Sequence, residues 1–198
     1  MELIVDNGWL KVYDSVLTDK ECFELINFSV KPFTNQPLQG DAKGYRTSNQ
    51  RWLDKNSELE NKLNSVTEKL TKIPSTNYEL TSLIRYKRTE QYKPHYDFFH
   101  RESELYDSAI LNGGNRIATA LYYLNDNFEG GETEFLNYEN LKIMPKIGRC
   151  VIWSNLVGLS NFGNTKYDEN NLSYHCGRPV ISGEKFIATK WIRQGEFK

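Results

Sequence analysis

Three residues in this sequence have the types and spacing of a metal site. His95 and Asp97 stand two apart in Q-Y-K-P-H-Y-D-F-F, a segment that reads as a β-strand. Side chains two apart on a strand point to one face, and Pro94 is tolerated at a strand start or edge. Only three histidines occur in the 198 residues. His175, on another strand-like segment, is the candidate third ligand, expected opposite the first two in a barrel. Two imidazoles and a carboxylate suit non-haem Fe(II) and leave positions open for substrates, although a lone H-x-D is common by chance. His100 has the opposite strand parity from His95 and reads as a packing or surface residue. Lys185 follows His175 after the turn C-G-R-P-V-I-S-G-E, where the next strand could return beside the metal. An ammonium there could hold the distal carboxylate of a dicarboxylic co-substrate; a solvated lysine at a strand start is the other reading.

The elements that must position these residues follow a two-part pattern. W-L-K-V-Y reads as a strand and residues 19–28 as a helix. The clearest helix runs over 58–73, where Leu59, Leu63, Val66, Leu70 and Ile73 fall on one face. Ser57 with Glu60 makes a capping box, and Pro74 marks the stop. After Ser75 come eight short segments rich in β-branched and aromatic residues: E-L-T-S-L-I-R-Y-K, Q-Y-K-P-H-Y-D-F-F, R-I-A-T-A-L-Y-Y-L, E-T-E-F-L, L-K-I-M, R-C-V-I-W, L-S-Y-H-C-G-R-P-V and K-F-I-A-T-K-W-I-R. That number of strands suggests a jelly roll. The expected class is α+β: a double-stranded β-helix core over 79–198, buttressed by helices and strands within 1–78, the whole of 1–198 forming one domain. The stretch from Asn155 to Leu172 has no pattern and reads as a long loop.

Composition narrows the partners. Lys and Arg total 25 against 26 Asp and Glu, a net charge of −1. That balance argues against a general grip on nucleic acid or on an anionic membrane surface. Cys22, Cys150 and Cys176 are odd in number and lack C-x-x-C spacing, so neither a disulfide framework nor a thiolate zinc site is expected. No secretory signal or membrane span is visible, and an intracellular, cytoplasmic setting is expected. The oligomeric state stays open.

Taken together, Y-K-P-H-Y-D-F-F, N-R-I-A-T-A-L-Y-Y-L-N-D, E-G-G-E-T-E-F and H-C-G-R-P-V-I-S-G-E-K-F-I-A-T-K-W-I-R resemble the catalytic domain of prolyl 4-hydroxylases. R-T-S at 46–48 is similar to that family too. The likeness is dense from Leu80 to Arg193 and is to the short, stand-alone members of microbes, algae and viruses. It implies an Fe(II)- and 2-oxoglutarate-dependent dioxygenase on a double-stranded β-helix, with ascorbate as reductant and a proline-containing protein or peptide as substrate. By the same resemblance His95, Asp97 and His175 hold iron, and Lys185 meets the 2-oxoglutarate distal carboxylate. Tyr86 and Thr133 add hydroxyl hydrogen bonds to the co-substrate. Tyr92, Arg116 and Trp191 match positions near the metal that face the peptide, and Glu79 matches an acidic position of the same region. Read without the resemblance, Trp191 is core, Arg116 a surface strand residue, and Gly130 and Gly131 serve a turn. Arg193 shares a strand face with Lys185, Ile187, Thr189 and Trp191 and is placed to touch substrate. Cys176, beside the distal histidine, is expected to point away from the metal. Other readings are a hydroxylase of another peptidyl residue or of free proline, a cupin-like metal-binding module without turnover, and a zinc hydrolase on the same ligands.

Overall fold

The computed structural model describes residues 1–30, 47–158 and 168–198. The first part of the chain forms β1 (Glu2–Asp6), β2 (Leu10–Asp14), α1 (Asp19–Val30), β3 (Asn49–Trp52) and α2 (Glu58–Thr71). There follow β4 (Ser82–Tyr86), β5 (Tyr92–His95), α3 (Tyr106–Ile110), β6 (Arg116–Tyr123), β7 (Glu129–Gly130), β8 (Thr133–Phe135), β9 (Leu141–Ile143) and β10 (Cys150–Ser154). The last strands are β11 (Leu156–Val157), β12 (Asp168–Glu169), β13 (His175–Gly177), β14 (Val180–Ser182) and β15 (Lys185–Arg193). Each of the eight expected strand segments contains a strand. No helix among the described residues is long and apolar enough to cross a membrane.

An antiparallel seven-stranded sheet, ordered β1-β2-β10-β6-β15-β4-β3, forms one wall. An antiparallel four-stranded sheet, ordered β5-β13-β8-β9, forms the other. The architecture is an α+β double-stranded β-helix. β1, β2 and β3 lie in the large sheet itself, at both of its edges.

Strict alternation on the central strands builds two cores from one sheet. Leu121 and Tyr123 of β6, Val151 and Trp153 of β10, and Ile187 of β15 pack in one cluster with Phe135 and Ile143 of the small sheet. Their neighbours Ala120, Tyr122, Cys150, Phe186 and Ala188 face the other way, onto Cys22 and Leu25 of α1 and Leu63 of α2. Burying a leucine or phenylalanine this way contributes roughly 1.5–3 kcal/mol, so both faces of β15 are stabilising surfaces.

α2 differs from expectation in its inward face. Ser57 accepts the Glu60 N–H at 3.2 Å, and Lys72 in the left-handed region donates its N–H to Glu68 as the helix stops before Pro74. The fully buried positions are Glu60, Leu63 and Thr67, with Leu59, Val66 and Leu70 only half-buried. Glu60 does not close the capping box. Its carboxylate turns inward to Lys190 Nζ at 2.5 Å and accepts the Thr81 N–H at 3.2 Å. A charge carried by the helix-facing side of β15 has no water there and draws the carboxylate in.

The stretch read as a patternless loop is ordered at both ends. Leu156 and Val157 pair with Glu169 and Asp168, and Asn171–Ser173 forms a single 3-10 turn. Residues 159–167, the middle of that stretch, lie outside the described residues, as does Arg46 of R-T-S.

Candidate active site

The small sheet brings the two histidines together by register. His175 on β13 pairs directly with His95 on β5, and with Phe135 on β8 at its other side. His175 is therefore the cross-strand neighbour of His95, not a residue across the barrel. β5 is the edge strand, which accommodates Pro94. Asp97 does not share a strand with His95: β5 ends at His95, and Asp97 lies in the turn that follows. The turn still swings its carboxylate to the same place. Oδ1 of Asp97 is 3.6 Å from His95 Nε2, and Oδ2 is 3.9 Å from His175 Nε2. One donor atom from each residue falls within 4.8 Å of the others, and all three side chains are buried or nearly so.

Both imidazoles are oriented in the same way. His95 Nδ1 is 2.7 Å from the Lys93 carbonyl, and His175 Nδ1 is 2.8 Å from the Ser173 carbonyl. A carbonyl only accepts, so each ring carries its proton on Nδ1 and turns the Nε2 lone pair inward. Burial, and then the neighbouring His95, press the His175 imidazole down to about 4, so it is neutral near pH 7. Burial alone would raise the Asp97 carboxyl. Its contact with His95 and a bond from Thr119 outweigh burial and hold it well below the usual range. Two imidazole nitrogens and a carboxylate, convergent and partly dehydrated, fit a divalent iron.

Facing this set across the cavity is Lys185, the first residue of β15 and 2% exposed. Its ammonium donates to the Gly131 carbonyl at 2.6 Å and sits 5.1 and 5.4 Å from the ring centres of Tyr86 and Tyr123. Among the described residues no carboxylate lies within ion-pair distance of it. Burial pulls its pKa down to about 7, against the weaker pull of Glu132. Gly131 is more than a turn residue here. At φ +67° a side chain would be strained, and its Cβ would meet Lys185 Cδ at 3.0 Å. The unpaired buried ammonium fits the far carboxylate of 2-oxoglutarate.

A cavity opens between the two sheets. Tyr86, Tyr92, Thr133, Lys185 and Trp191 all line it with the three ligand candidates. Tyr92 stacks on His95, ring centres 3.5 Å apart. The Thr133 hydroxyl pairs with Tyr123 OH at 2.7 Å. Trp153 and Leu121 also line it and were not singled out from sequence. Their parity on R-C-V-I-W and R-I-A-T-A-L-Y-Y-L, matched to the strand carrying Lys185, is the signal that could have found them.

Arg116, Glu79 and Arg193 are not in the lining. Glu79 accepts Arg116 Nε and Nη2 at 2.7 and 2.8 Å, and Arg193 Nε lies 2.7 Å from the same carboxylate. Arg116 also stacks over Trp191, its guanidinium carbon 4.0 Å from the ring centre, and donates to the Asp97 carbonyl at 3.4 Å. Arg193 is spent on the Gly114 and Ala109 carbonyls and does not reach the cavity. His100 is exposed and faces Glu169 at 3.3 Å, away from the ligand set.

The fold and this donor set define an iron-dependent oxygenase that takes a keto-acid co-substrate. Residues 81–193 match the 2OG-Fe(II) oxygenase superfamily, and the chain belongs to that superfamily. It is 33% identical over 187 residues to a protein of Acanthamoeba polyphaga mimivirus assigned as a prolyl 4-hydroxylase, covering 94% of this chain and 74% of that one. It is 29% identical over 217 residues to prolyl 4-hydroxylase 2 of Arabidopsis thaliana, with coverage of 94% and 67%. Among solved structures, the viral collagen prolyl hydroxylase of Paramecium Bursaria Chlorella virus-1 in complex with 2-oxoglutarate superposes with a TM-score of 0.72 at 28% identity, covering 96% of this chain and 98% of that one. A Trichoplax adhaerens prolyl hydroxylase bound to a hypoxia-inducible-factor peptide shares the fold, with a TM-score of 0.66 at 17% identity over 95% and 84% of the two chains.

Proposed function

We propose that this protein is a prolyl 4-hydroxylase acting on proline-bearing polypeptide, with residues 1–198 working as one catalytic unit. The observation that carries the reading is the cavity. The His95, Asp97 and His175 donors form one wall, and an unpaired buried ammonium stands on the other. Relatives named as prolyl hydroxylases over nearly the whole chain support the choice of substrate.

His95 and His175 through Nε2, and Asp97 through its carboxylate, hold Fe(II). Lys185 anchors the distal carboxylate of 2-oxoglutarate, with Tyr86 and Thr133 beside it. When bound, iron with 2-oxoglutarate and dioxygen supplies an oxidant able to break an unactivated C–H bond, releasing succinate and carbon dioxide. The chain aims and shields. Tyr92 and Trp191 give the apolar pyrrolidine aromatic faces to pack on, and Trp153, Leu121 and Ile187 keep water from the wall behind it. Glu79 and Arg116 hold Trp191 in place, and Arg116 binds the backbone of Asp97. Ascorbate serves as reductant. Cys22, Cys150 and Cys176 are free and buried, as suits a reducing, intracellular compartment.

The test is incubation with Fe(II), 2-oxoglutarate, ascorbate and a panel of proline-containing peptides, read by mass spectrometry. The expected product is a peptide heavier by one oxygen on proline, with succinate formed in equal amount. Turnover of 2-oxoglutarate with oxygen placed on another residue or on free proline would displace the prolyl assignment. No consumption of 2-oxoglutarate with any peptide would leave a metal-binding module.

A further inference from the structure

Two buried polar residues stand behind the ligand set: Thr119 of β6 and Asn155, just past β10, are both 0% exposed. The Thr119 hydroxyl donates to Asp97 Oδ2 at 2.7 Å, and Asn155 Nδ2 donates to Thr119 Oγ1 at 3.0 Å. We infer that Thr119 and Asn155 form a positioning relay that fixes the rotation of the Asp97 carboxylate and so tunes how tightly the site holds its metal. The inference rests on the proposed ligand set.

The directions are forced. A carboxylate can only accept, so the single hydroxyl proton of Thr119 goes to Asp97. The hydroxyl oxygen then has only lone pairs to offer its other neighbour, so the amide group of Asn155 must face it with nitrogen. That orientation leaves Asn155 Oδ1 buried with no donor among the described residues. A buried acceptor left unmet is costly, and an apolar residue of similar size would avoid the cost. The donor is what an asparagine brings here.

Asp97 stands in a bend beyond the end of β5, so its backbone lacks the ladder bonds that hold the two histidines. Thr119 is itself firmly placed. Its branched Cβ keeps χ1 stiff, and it is held on both sides, opposite Trp153 and Trp191 in the sheet. Asn155 is held as firmly, its N–H on the Ile117 carbonyl at 2.9 Å and its carbonyl taking the Asn170 N–H at 3.0 Å. With Oδ2 committed to Thr119, Oδ1 beside His95 Nε2 is the oxygen left for a metal.

The test uses the full chain and Co(II) alone, without 2-oxoglutarate or peptide, reading the dissociation constant by calorimetry and the visible absorption of the bound ion. Thr119→Val keeps the shape and removes the donor; it should weaken Co(II) about tenfold or more and change the visible spectrum. Thr119→Ser should restore the parent values. Asn155→Ala should weaken binding less than Thr119→Val, and the double variant should be no weaker than Thr119→Val alone, since Asn155 acts through Thr119. Thermal melts of the metal-free proteins identify any variant that fails to fold; Thr119→Ser and Asn155→Ala then carry the test. The relay is overturned by a folded Thr119→Val with the parent constant and spectrum, by a serine variant as weak as valine, or by additive losses in the double variant. Asp97→Ala separates the two readings. If it keeps Co(II), the ligand set itself is wrong; if it loses Co(II) while Thr119→Val does not, only the relay is.

Discussion

Lys185 and Lys190 lie five positions apart on β15, both essentially without solvent exposure, and opposite parity sends them to opposite faces of the large sheet. Lys190 faces α2 and meets the Glu60 carboxylate at 2.5 Å. Among the described residues, Lys185 faces the cavity and meets a carbonyl and two aromatic rings. Burial lowers both, Lys190 to about 8 with Glu60 pulling back, and Lys185 to about 7 with less to oppose the loss. A buried charge without a counter-charge is among the costliest features a fold can keep. The helix-facing lysine has its partner built into the chain, while in the function proposed above the cavity-facing one takes its partner from the co-substrate. The contrast separates a structural ion pair from a binding site on a single strand.

The largest effect expected is on the cavity side. His95→Ala or Asp97→Ala should reduce succinate formation to background while the melting temperature stays near the parent's. Near-normal turnover in either would remove the basis for calling that face the functional one. Lys185→Met comes next, and here the faces should diverge. It deletes an uncompensated charge, so the ligand-free protein should be as stable as the parent or more so. Its apparent KM for 2-oxoglutarate should rise tenfold or more, from loss of a charge-assisted bond. Lys190→Met, which strands Glu60, should instead cost about 3–5 kcal/mol in urea unfolding and leave the KM of the folded fraction unchanged. If the two variants behave alike, the comparison fails.

A smaller effect follows from pH. In the unfolded chain lysine holds its proton up to the ordinary value near 10.5, while Lys185 in the metal-free folded chain releases it from about 7. Between these values the unfolded state binds more protons, so stability should rise with pH over that window. Lys185→Met should flatten that part of the rise, measured by urea unfolding of the metal-free protein at pH 7 to 10. The smallest effect belongs to a buried carboxylate on β2, away from the cavity. Asp14, bonded to Arg149 and Lys146, is held at about 2. Its contribution should be complete above pH 3.8 and disappear as pH falls through about 2. Asp14→Asn should flatten that acid limb and lower stability at neutral pH by the same amount.

Much of this was legible because strands write their faces in period two. Lys185, Ile187, Thr189 and Trp191 share a face by counting alone, and the alternation in R-I-A-T-A-L-Y-Y-L separates Leu121 and Tyr123 from Ala120 and Tyr122. Glu60 is the instructive failure. Glu60 in S-E-L-E reads as a helix cap, and nothing in the local sequence marks Lys190 as its partner. Each is buried only because the other is, and a pair 130 positions apart leaves no mark on local pattern. The same holds for Asp97: alternation placed it beside His95 on a strand, but β5 stops and a turn brings it round. Arg193 shared the right parity and still missed the cavity, because Glu79 and two carbonyls capture it first.

The two histidines are aimed by carbonyls of their own chain two residues back, those of Lys93 and Ser173. A carbonyl is supplied by every amino acid, so the bond that aims each ring is made by the backbone and not by the side chain of Lys93 or Ser173. The tautomer on which the site depends is inherited through backbone shape alone, and no survey of side chains would find where it is written.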